Sequence, residues 1–415
     1  MADKLEEEIL KKIKPSKEEE ERVKKFVNNL VRVAKTISGL DCMVCGSIGK
    51  FTWLRGDHDV DLFMIFPKSA SREALEKNGL ELGKKIVAEM KGSYILKYAE
   101  HPYVHASIDG YTVDIVPCYR IRKGESIVSA VDRSLLHLEY VIDKLDVKKR
   151  DEVRLLKQFC KGISVYGSDA RHLGFSGYIC ELLVIKFGSF MRVVKDAAKW
   201  AAPKLITLDG GADGSAKNFD GPFVIVDPVD RKRNVAANLS GENFIKFVSK
   251  CRQFIAKPDE IYFFPEHKPL ADDEVKDLKD RETMVFAIVM EKPNIIDDIL
   301  YPQLRKTIDR IETQLKHNEF VVGRSYEYVK DKVVLFFEME IWDLPVTKKM
   351  TGPKISSRKH AAEFRAKYKN AYVEGQVWVA DKNRDFRTAS EFVKDFLCKD
   401  KDYLVSRGIP ENLAG

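Results

Sequence analysis

Asp59-Val60-Asp61 stands at the head of an apolar run that ends at Phe66. On a strand, residues two apart share a face, so the two carboxylates project side by side while Val60 and Leu62 turn into a core. Carboxylates held together repel unless a cation lies between them. Hard oxygen ligands at this spacing suit Mg²⁺, which binds through a few carboxylates plus substrate phosphates. Asp114, in Val113-Asp114-Ile115-Val116, is an acid in a second apolar strand, and a third carboxylate from a neighbouring strand completes a two-metal site. Upstream, Gly46-Ser47-Ile48-Gly49-Lys50 joins an apolar strand to a helix start. Its backbone N–H groups and the Ser47 hydroxyl are donors for phosphates, and Lys50 adds a positive charge. Gly49-Lys50 is not the end of a P-loop, because position 44 is Val rather than Gly and residue 51 is Phe rather than Ser or Thr. Gly-Ser, then Asp-x-Asp in a strand, then a later strand Asp is the pattern of a nucleotidyltransferase centre. In such a centre one metal activates a hydroxyl nucleophile and the other holds a triphosphate and its pyrophosphate leaving group.

These residues need a sheet to hold them. Ser16-Lys17-Glu18-Glu19 has capping-box spacing, and Val23, Phe26, Val27, Leu30, Ala34 and Ile37 follow at helical intervals until Gly39. Strand-like runs come next at 41–45, 60–66, 106–108 and 112–116, the last two joined by the hairpin signal Asp109-Gly110, with a helical pattern at 72–90 between. The first 120 or so residues therefore read as a small mixed α/β domain. From 132 to 201 the pattern is helical, with 178–194 apolar on nearly every side and expected as one buried helix. A glycine-rich loop at 209–214 and a helix through Phe244, Phe247 and Cys251 follow. Beyond Pro258, strands at 283–290, 333–341 and 371–380 mix with helices such as 301–316. The expected organisation is three domains, 1–130, 131–257 and 258–415, in an α+β multidomain chain.

The 415 residues are 44% hydrophobic and 33% charged, which excludes wholesale disorder and a disulfide-stapled miniprotein. Apolar stretches are broken by charge well short of a bilayer span, and the Glu- and Lys-dense N-terminus is not a secretory signal, so a cytoplasmic protein without membrane partners is expected. Seven scattered cysteines suggest reduced thiols. Cys42-x-x-Cys45 is read as part of a strand and not as a metal pair. The net charge of +7 is matched by one window, 348–369, in which Lys348, Lys349, Lys354, Arg358, Lys359, Arg365, Lys367 and Lys369 face a single acid, Glu363. Interleaved with His360, Phe364 and Tyr368, this window suits a phosphate backbone with some stacking, although charge runs are commonly only solvated faces.

The run Gly46-Ser47 … Thr52-Trp53-Leu54-Arg55-Gly56 … Asp59-Val60-Asp61 resembles the archaeal class (class I) of CCA-adding enzymes, or tRNA nucleotidyltransferases, of the polymerase-β-like superfamily. The resemblance continues through 99–105, 113–119, 129–133, 174–178 and Val226-Asp227-Pro228-Val229-Asp230-Arg231-Lys232-Arg233-Asn234, covering the first 260 residues well and the remainder loosely through 297–304. It implies a polymerase-β-like head, a helical central domain and an α+β C-terminal region that holds tRNA. It also implies template-independent addition of C, C and A to the tRNA 3′ end from CTP and ATP.

By the same resemblance Asp59 and Asp61 bind both metals, Asp114 helps activate the RNA 3′-hydroxyl, and Ser47 binds phosphate. The family often has Glu for the first acid and Arg where Lys50 stands, and Lys cannot make the bidentate Arg contact. Ser134 and His137, three apart on a predicted helix and off the stripe of Leu135, Leu138, Ile142 and Leu145, are assigned to the nucleotide's sugar or base. Lys157 and Tyr166 are aimed at the triphosphate, with Lys161 one turn on able to do the same job. Arg233 is assigned to the incoming base, with a salt bridge to Asp227 or Asp230 as the competing reading. His101 and His105 flank Pro102 without a third soft ligand and are read as packing or hydrogen-bonding residues. The acceptor stem would be measured by shape and 2′-hydroxyls, with the 348–369 window as the grip. A poly(A) polymerase-like enzyme and an inactive RNA-binding protein on the same scaffold are the alternatives. A homodimer stays among the readings.

Overall fold

A computed structural model describes residues 2–98, 102–122, 124, 125, 127, 129–208, 219–265 and 280–399. The chain divides into two units, Met1–Glu266 and His267–Gly415.

In the first unit, α1 (Ala2–Ile13) and α2 (Lys17–Ser38) precede a five-stranded sheet. The Ser16 hydroxyl accepts from the Glu19 N–H to start α2, and Gly39, at φ 66°, ends it. The expected capping box is only half formed. The Glu19 carboxylate turns away and accepts from the Gly56 N–H at 2.9 Å, pinning the turn that leads into the Asp59 strand. The sheet comprises β1 (Asp41–Val44), β2 (Asp59–Phe66), β3 (Ser93–Tyr98), β4 (Pro102–Ile108) and β5 (Tyr111–Tyr119), in the order β1-β2-β5-β4-β3. Within this sheet β2 and β5 pair in parallel and the other neighbours antiparallel. A short helix, α3 (Gly46–Gly49), follows β1, and α4 (Arg72–Glu89) crosses from β2 to β3. Asp109 and Gly110, at φ 50° and 80°, make the β4–β5 turn with the two positive φ values that a two-residue hairpin of this kind needs. Val23, Phe26 and Leu30 of α2 and Ile86 and Val87 of α4 bury one core with Leu62, Met64, Val113 and Ile115.

A second core gathers α5 (Arg133–Lys144), α6 (Val147–Gly162), α7 (Gly177–Phe187), α8 (Phe190–Ala197) and α9 (Gly241–Ala256), with a two-stranded ribbon of β6 (Lys204–Ile206) and β7 (Phe223–Ile225). Phe159 at its centre meets Phe190, Phe254 and Phe263 edge-on at 5.5–5.6 Å. Ile9 and Ile13 of α1 belong to this core. The single helix expected over 178–194 is two: Gly188 closes α7 at φ 92°, and the Ser189 hydroxyl caps α8 by accepting from the Arg192 N–H. Ile142, placed on the apolar stripe of α5 by its spacing, is 42% exposed, and Val141 takes the buried position. The 209–214 loop and His101 lie outside the described residues.

The second unit has two three-stranded sheets. In one, β8 (Met284–Glu291), β10 (Lys332–Ile341) and β9 (Val321–Val329) pack Val333, Leu335 and Phe337 against Leu304, Ile308 and Ile311 of α10 (Asp297–His317) and against Phe392 of α12 (Ala389–Lys399). In the other, β11 (Thr347–Lys354), β13 (Val377–Asn383) and β12 (Tyr372–Glu374) carry α11 (Arg358–Lys367). The strand expected over 371–380 is the β12–β13 hairpin, reversed at Gly375 with φ 59°. All seven cysteines are unpaired, six of them buried. Among the described residues no helix is long and apolar enough to cross a membrane.

Candidate active site

The β2–β5 pairing sets Asp61 directly opposite Asp114, with Asp59 opposite Thr112 one step along the same face of β2. Burial pushes the Asp61 carboxyl up to about 6, Asp114 and Asp59 push in the same direction, and Lys50 opposes them. The three acids therefore stand within one another's field, which is unfavourable for them as bare anions. His105, across from Asp114 on β4, pairs through Nδ1 with Asp114 Oδ1, fixing that carboxylate; its hydrogen-bonding reading holds. Among the described residues no group of three or more His, Cys, Asp or Glu side chains is arranged to hold a metal ion by itself. Crowded hard-oxygen donors of this kind fit a divalent cation whose coordination is completed by substrate phosphates and water.

Gly46 sits against this cluster at φ 60°, and a Cβ there would lie 1.8 Å from Asp61 Oδ2. Glycine alone lets the loop backbone approach the carboxylate so closely. The Cys45 N–H donates to the Asp61 carbonyl at 2.8 Å, tying loop to strand. Ser47, half-buried, is the second residue of α3, and its carbonyl accepts from the Thr52 N–H at 2.9 Å, curling the loop back on itself.

Lys50 and Lys157 face inward, and both converge on Glu181 of α7. Lys50 Nζ donates to Glu181 Oε2 at 2.8 Å and lies 4.8 Å from the centre of the Tyr178 ring. Lys157 Nζ donates to the Thr52 hydroxyl and carbonyl at 3.0 and 3.2 Å and stands 3.5 Å from Glu181 Oε1. The Thr52 hydroxyl in turn donates to Glu181 Oε1 at 2.6 Å. Tyr166 joins them: a Cβ on Gly177 would sit 3.0 Å from Tyr166 Oη and 3.3 Å from Lys157 Nζ, so both meet at the first residue of α7. Lys161 pairs with Asp57 at 3.0 Å, and its ammonium lies 5.4 Å from the centre of the Tyr166 ring.

A third group surrounds Asp227, which is fully buried. Its carboxylate accepts from Arg233 Nη1 at 2.9 Å, from the Tyr178 hydroxyl at 3.4 Å and from the Val229 N–H at 3.1 Å, and it pairs with His137 Nε2 at 2.9 Å. Of the two readings of Arg233, the ion pair with Asp227 is present, while Asp230 pairs instead with Arg133 at 2.8 Å. Burial pushes the Asp227 carboxyl up, but His137, the Val229 amide and Arg233 prevail and hold it below the usual range. The His137 ring stacks on Tyr178 with centroids 4.0 Å apart, and burial lowers its basicity against the pull of Asp227. Ser134 lies one turn before His137 on α5 and is half-buried. A cavity of about 710 Å³, lined by Arg133, His137, Ser176, Tyr178, Arg233 and Asn234 among others, opens beside this group.

Sequence reasoning missed Glu181, gave Glu19 only a capping role, and named Asp227 only as one of two competing partners of Arg233. Glu181 carried a signal, since it is a lone acid in the helical stretch that is apolar on nearly every side. In the second unit, the basic window maps onto nearly all of β11, onto α11 and onto the residues just after it. Lys354, Arg358, Lys359, Arg365, Lys367 and Lys369 are exposed and Lys348 is half-buried, while Lys349 pairs with Glu374 and Arg365 covers the Trp378 ring at 5.0 Å.

Three family models match the chain: a nucleotidyltransferase domain over residues 20–137, the second domain of tRNA nucleotidyltransferase over 151–264, and the CCA-adding enzyme C-terminal domain over 281–404. The CCA-adding enzyme of Methanocaldococcus jannaschii is 37% identical over 404 residues, spanning 94% of this chain and 89% of that protein. The CCA-adding enzyme of Methanothermobacter thermautotrophicus is 39% identical over 399 residues, 94% of this chain and 87% of that protein. A solved structure of Cid1, described by its RNA terminal uridylyl transferase activity, has a TM-score of 0.50 at 15% identity, over 62% of this chain and 97% of that one, a likeness of fold. With paired strand acids over a glycine-lined loop and matches of this length along its whole course, the chain belongs to the archaeal CCA-adding enzyme family of nucleotidyltransferases.

Proposed function

We propose that this protein builds and repairs the 3′-terminal CCA of tRNA, adding C, C and A from CTP and ATP without a nucleic-acid template and releasing pyrophosphate. The observation that carries the reading is the register of Asp61 against Asp114 on parallel strands, with Asp59 beside them and the Gly46-Ser47 loop packed on Asp61. Mg²⁺ held by Asp59, Asp61 and Asp114 would neutralise the triphosphate and make the RNA 3′-hydroxyl more acidic. The chain's own residues supply the rest. Asp114, oriented by His105, would draw the proton of the 3′-hydroxyl; the freed oxygen attacks the α-phosphorus, and the bond to the bridging oxygen breaks toward pyrophosphate. Gly46 and Ser47 would offer donors to the phosphates, and Lys157 and Tyr166, which meet at Gly177, together with Lys50 beside the Tyr178 ring would take up the triphosphate.

His137, Ser134 and Arg233 border the space for sugar and base. Asp227 engages one guanidinium nitrogen and leaves further N–H donors of Arg233 for the edge of C or A. Recognition by fixed protein donors is compatible with selection in the absence of a template strand. The tRNA acceptor stem and 3′ end would be held by phosphate and 2′-hydroxyl contacts, for which the exposed cations of β11 and α11 are the candidates. Seven unpaired cysteines suit a reducing cytoplasm. The test is incubation with tRNA lacking its last three nucleotides and each labelled NTP in turn. CTP alone should add two residues, and ATP should add one only to RNA already ending in CC; a growing A tail would transfer the reading to a poly(A) polymerase.

A further inference from the structure

Glu181 is 1% exposed, Lys157 2%, Lys50 8% and Thr52 0%, so one carboxylate serves two ammonium groups in a buried cluster. Burying ions is expensive, and a buried ion pair is often no more stabilising than apolar packing of the same volume. Such a cluster inside an otherwise apolar helix core calls for a purpose beyond stability. Its hydrogen-bond direction is defined. Thr52 has a single hydroxyl proton, which goes to Glu181 Oε1, so its lone pair faces Lys157 Nζ. Oε2 is left for Lys50. Three elements are thereby clasped at one carboxylate: the loop after α3, α6 and α7.

We infer that Glu181 is a positioning residue, whose carboxylate, relayed through Thr52, holds the Lys50 and Lys157 ammonium groups at the start of α7 for the incoming triphosphate. This rests on the proposed role of the two lysines. Burial draws Lys157 toward the neutral form and Glu181 opposes it. The groups facing Lys157 are Glu181 and Cys180 from α7, Lys50 and Thr52 from the loop, and Tyr166 from the segment after α6. With Glu181 gone, the nearest charge to Lys157 is another cation, so its proton is lost more easily as pH rises.

The test is ATP binding to the full chain by equilibrium dialysis between pH 6.5 and 9. For wild type, Kd should stay within about twofold over this range, whereas for Glu181→Gln it should rise by up to about tenfold per pH unit once Lys157 titrates. Glu181→Asp should restore most of the flat profile. A purely structural role would lower the melting temperature with parallel pH profiles, and that outcome overturns the inference. Thr52→Val, which removes the hydroxyl relay but leaves Glu181 Oε1 3.5 Å from Lys157 Nζ, should steepen the profile in the same direction by a smaller amount, and it carries the test if Glu181→Gln does not fold. Lys157→Met separates the two levels. If it leaves ATP affinity unchanged, the triphosphate reading fails and this inference with it. If it weakens ATP binding while Glu181→Gln and Thr52→Val track wild type, only the role of Glu181 fails.

Discussion

Replacing Gly46 with alanine should disable the enzyme while leaving it folded. Two costs act there. A φ of 60° asks an L-residue to sit in the left-handed region, worth roughly 1–2 kcal/mol. The added Cβ would also stand 1.8 Å from Asp61 Oδ2 and 2.9 Å from its Cγ. The carboxylate must retreat by about 1 Å or more to reach ordinary contact, and a misplacement of about 1 Å costs on the order of 10²-fold in rate. The backbone of Asp61 cannot follow, because its carbonyl is held by the Cys45 N–H and its strand is paired on both sides. Gly39→Ala is the internal control: its φ is 66°, yet nothing lies within 4 Å of the new Cβ, so it bears the conformational cost alone. Both variants should melt a few degrees low by calorimetry. In single-turnover addition of labelled CMP to tRNA lacking its terminus, Gly39→Ala should match wild type and Gly46→Ala should fall about 10²-fold. Equal rates for the two would refute the argument that Gly46 sets the position of Asp61.

Asp114→Asn should lower the single-turnover rate by about 10²–10⁴-fold, since it removes the proton acceptor and one carboxylate of the metal site, with a much smaller loss of ATP affinity because Asp59, Asp61 and the phosphate donors remain; an unchanged rate would remove Asp114 from the chemistry. Asp227→Ala leaves Arg233 and His137 unpaired, and should raise KM for both CTP and ATP about tenfold and destabilise the fold by roughly 2 kcal/mol, read from steady-state kinetics and urea melts. Because the Asp227 carboxyl is held below its ordinary value, its stabilisation is complete above about pH 4 and is lost as pH falls through the depressed value. Asp227→Asn should therefore flatten the fall of Tm below about pH 4, and an unaltered acid slope would contradict the sign. Lys354, Arg358 and Lys359 changed together to Ala should weaken tRNA binding and reduce the slope of log Kd against log salt by up to about 3, with ATP binding untouched; unchanged filter binding would exclude this face.

What could be read from the chain follows from what strands and caps encode locally. The Asp59/Asp61/Asp114 arrangement was legible because period-2 alternation and an Asp-Gly turn fix which side chains share a face. The split of 178–194 into two helices was less visible, since an unbroken apolar stretch masks a Gly-Ser pair that stops one helix and caps the next. The α2 cap was half legible: Ser16 behaves as the spacing indicates, but Glu19 is drawn 37 residues along the chain to Gly56, a tertiary pull with no local signature. The same holds for Lys50 and Lys157. Their residue type spoke for phosphate binding, while their convergence on Glu181 depends on separations of more than 100 and of 24 residues.

The distribution of unpaired cysteines makes the protein its own unfolding meter. Cys42, Cys45 and Cys118 are sealed near the sheet, and Cys160, Cys180 and Cys251 in the aromatic helix core. Burial pushes the Cys45 thiol up to about 12, and those of Cys42, Cys118, Cys160 and Cys251 upward as well, so none of these five is a ready nucleophile while its core is closed. Alkylation followed by mass spectrometry therefore times the breathing of each core separately. Cys398, exposed on α12, reacts at once and sets the clock's zero.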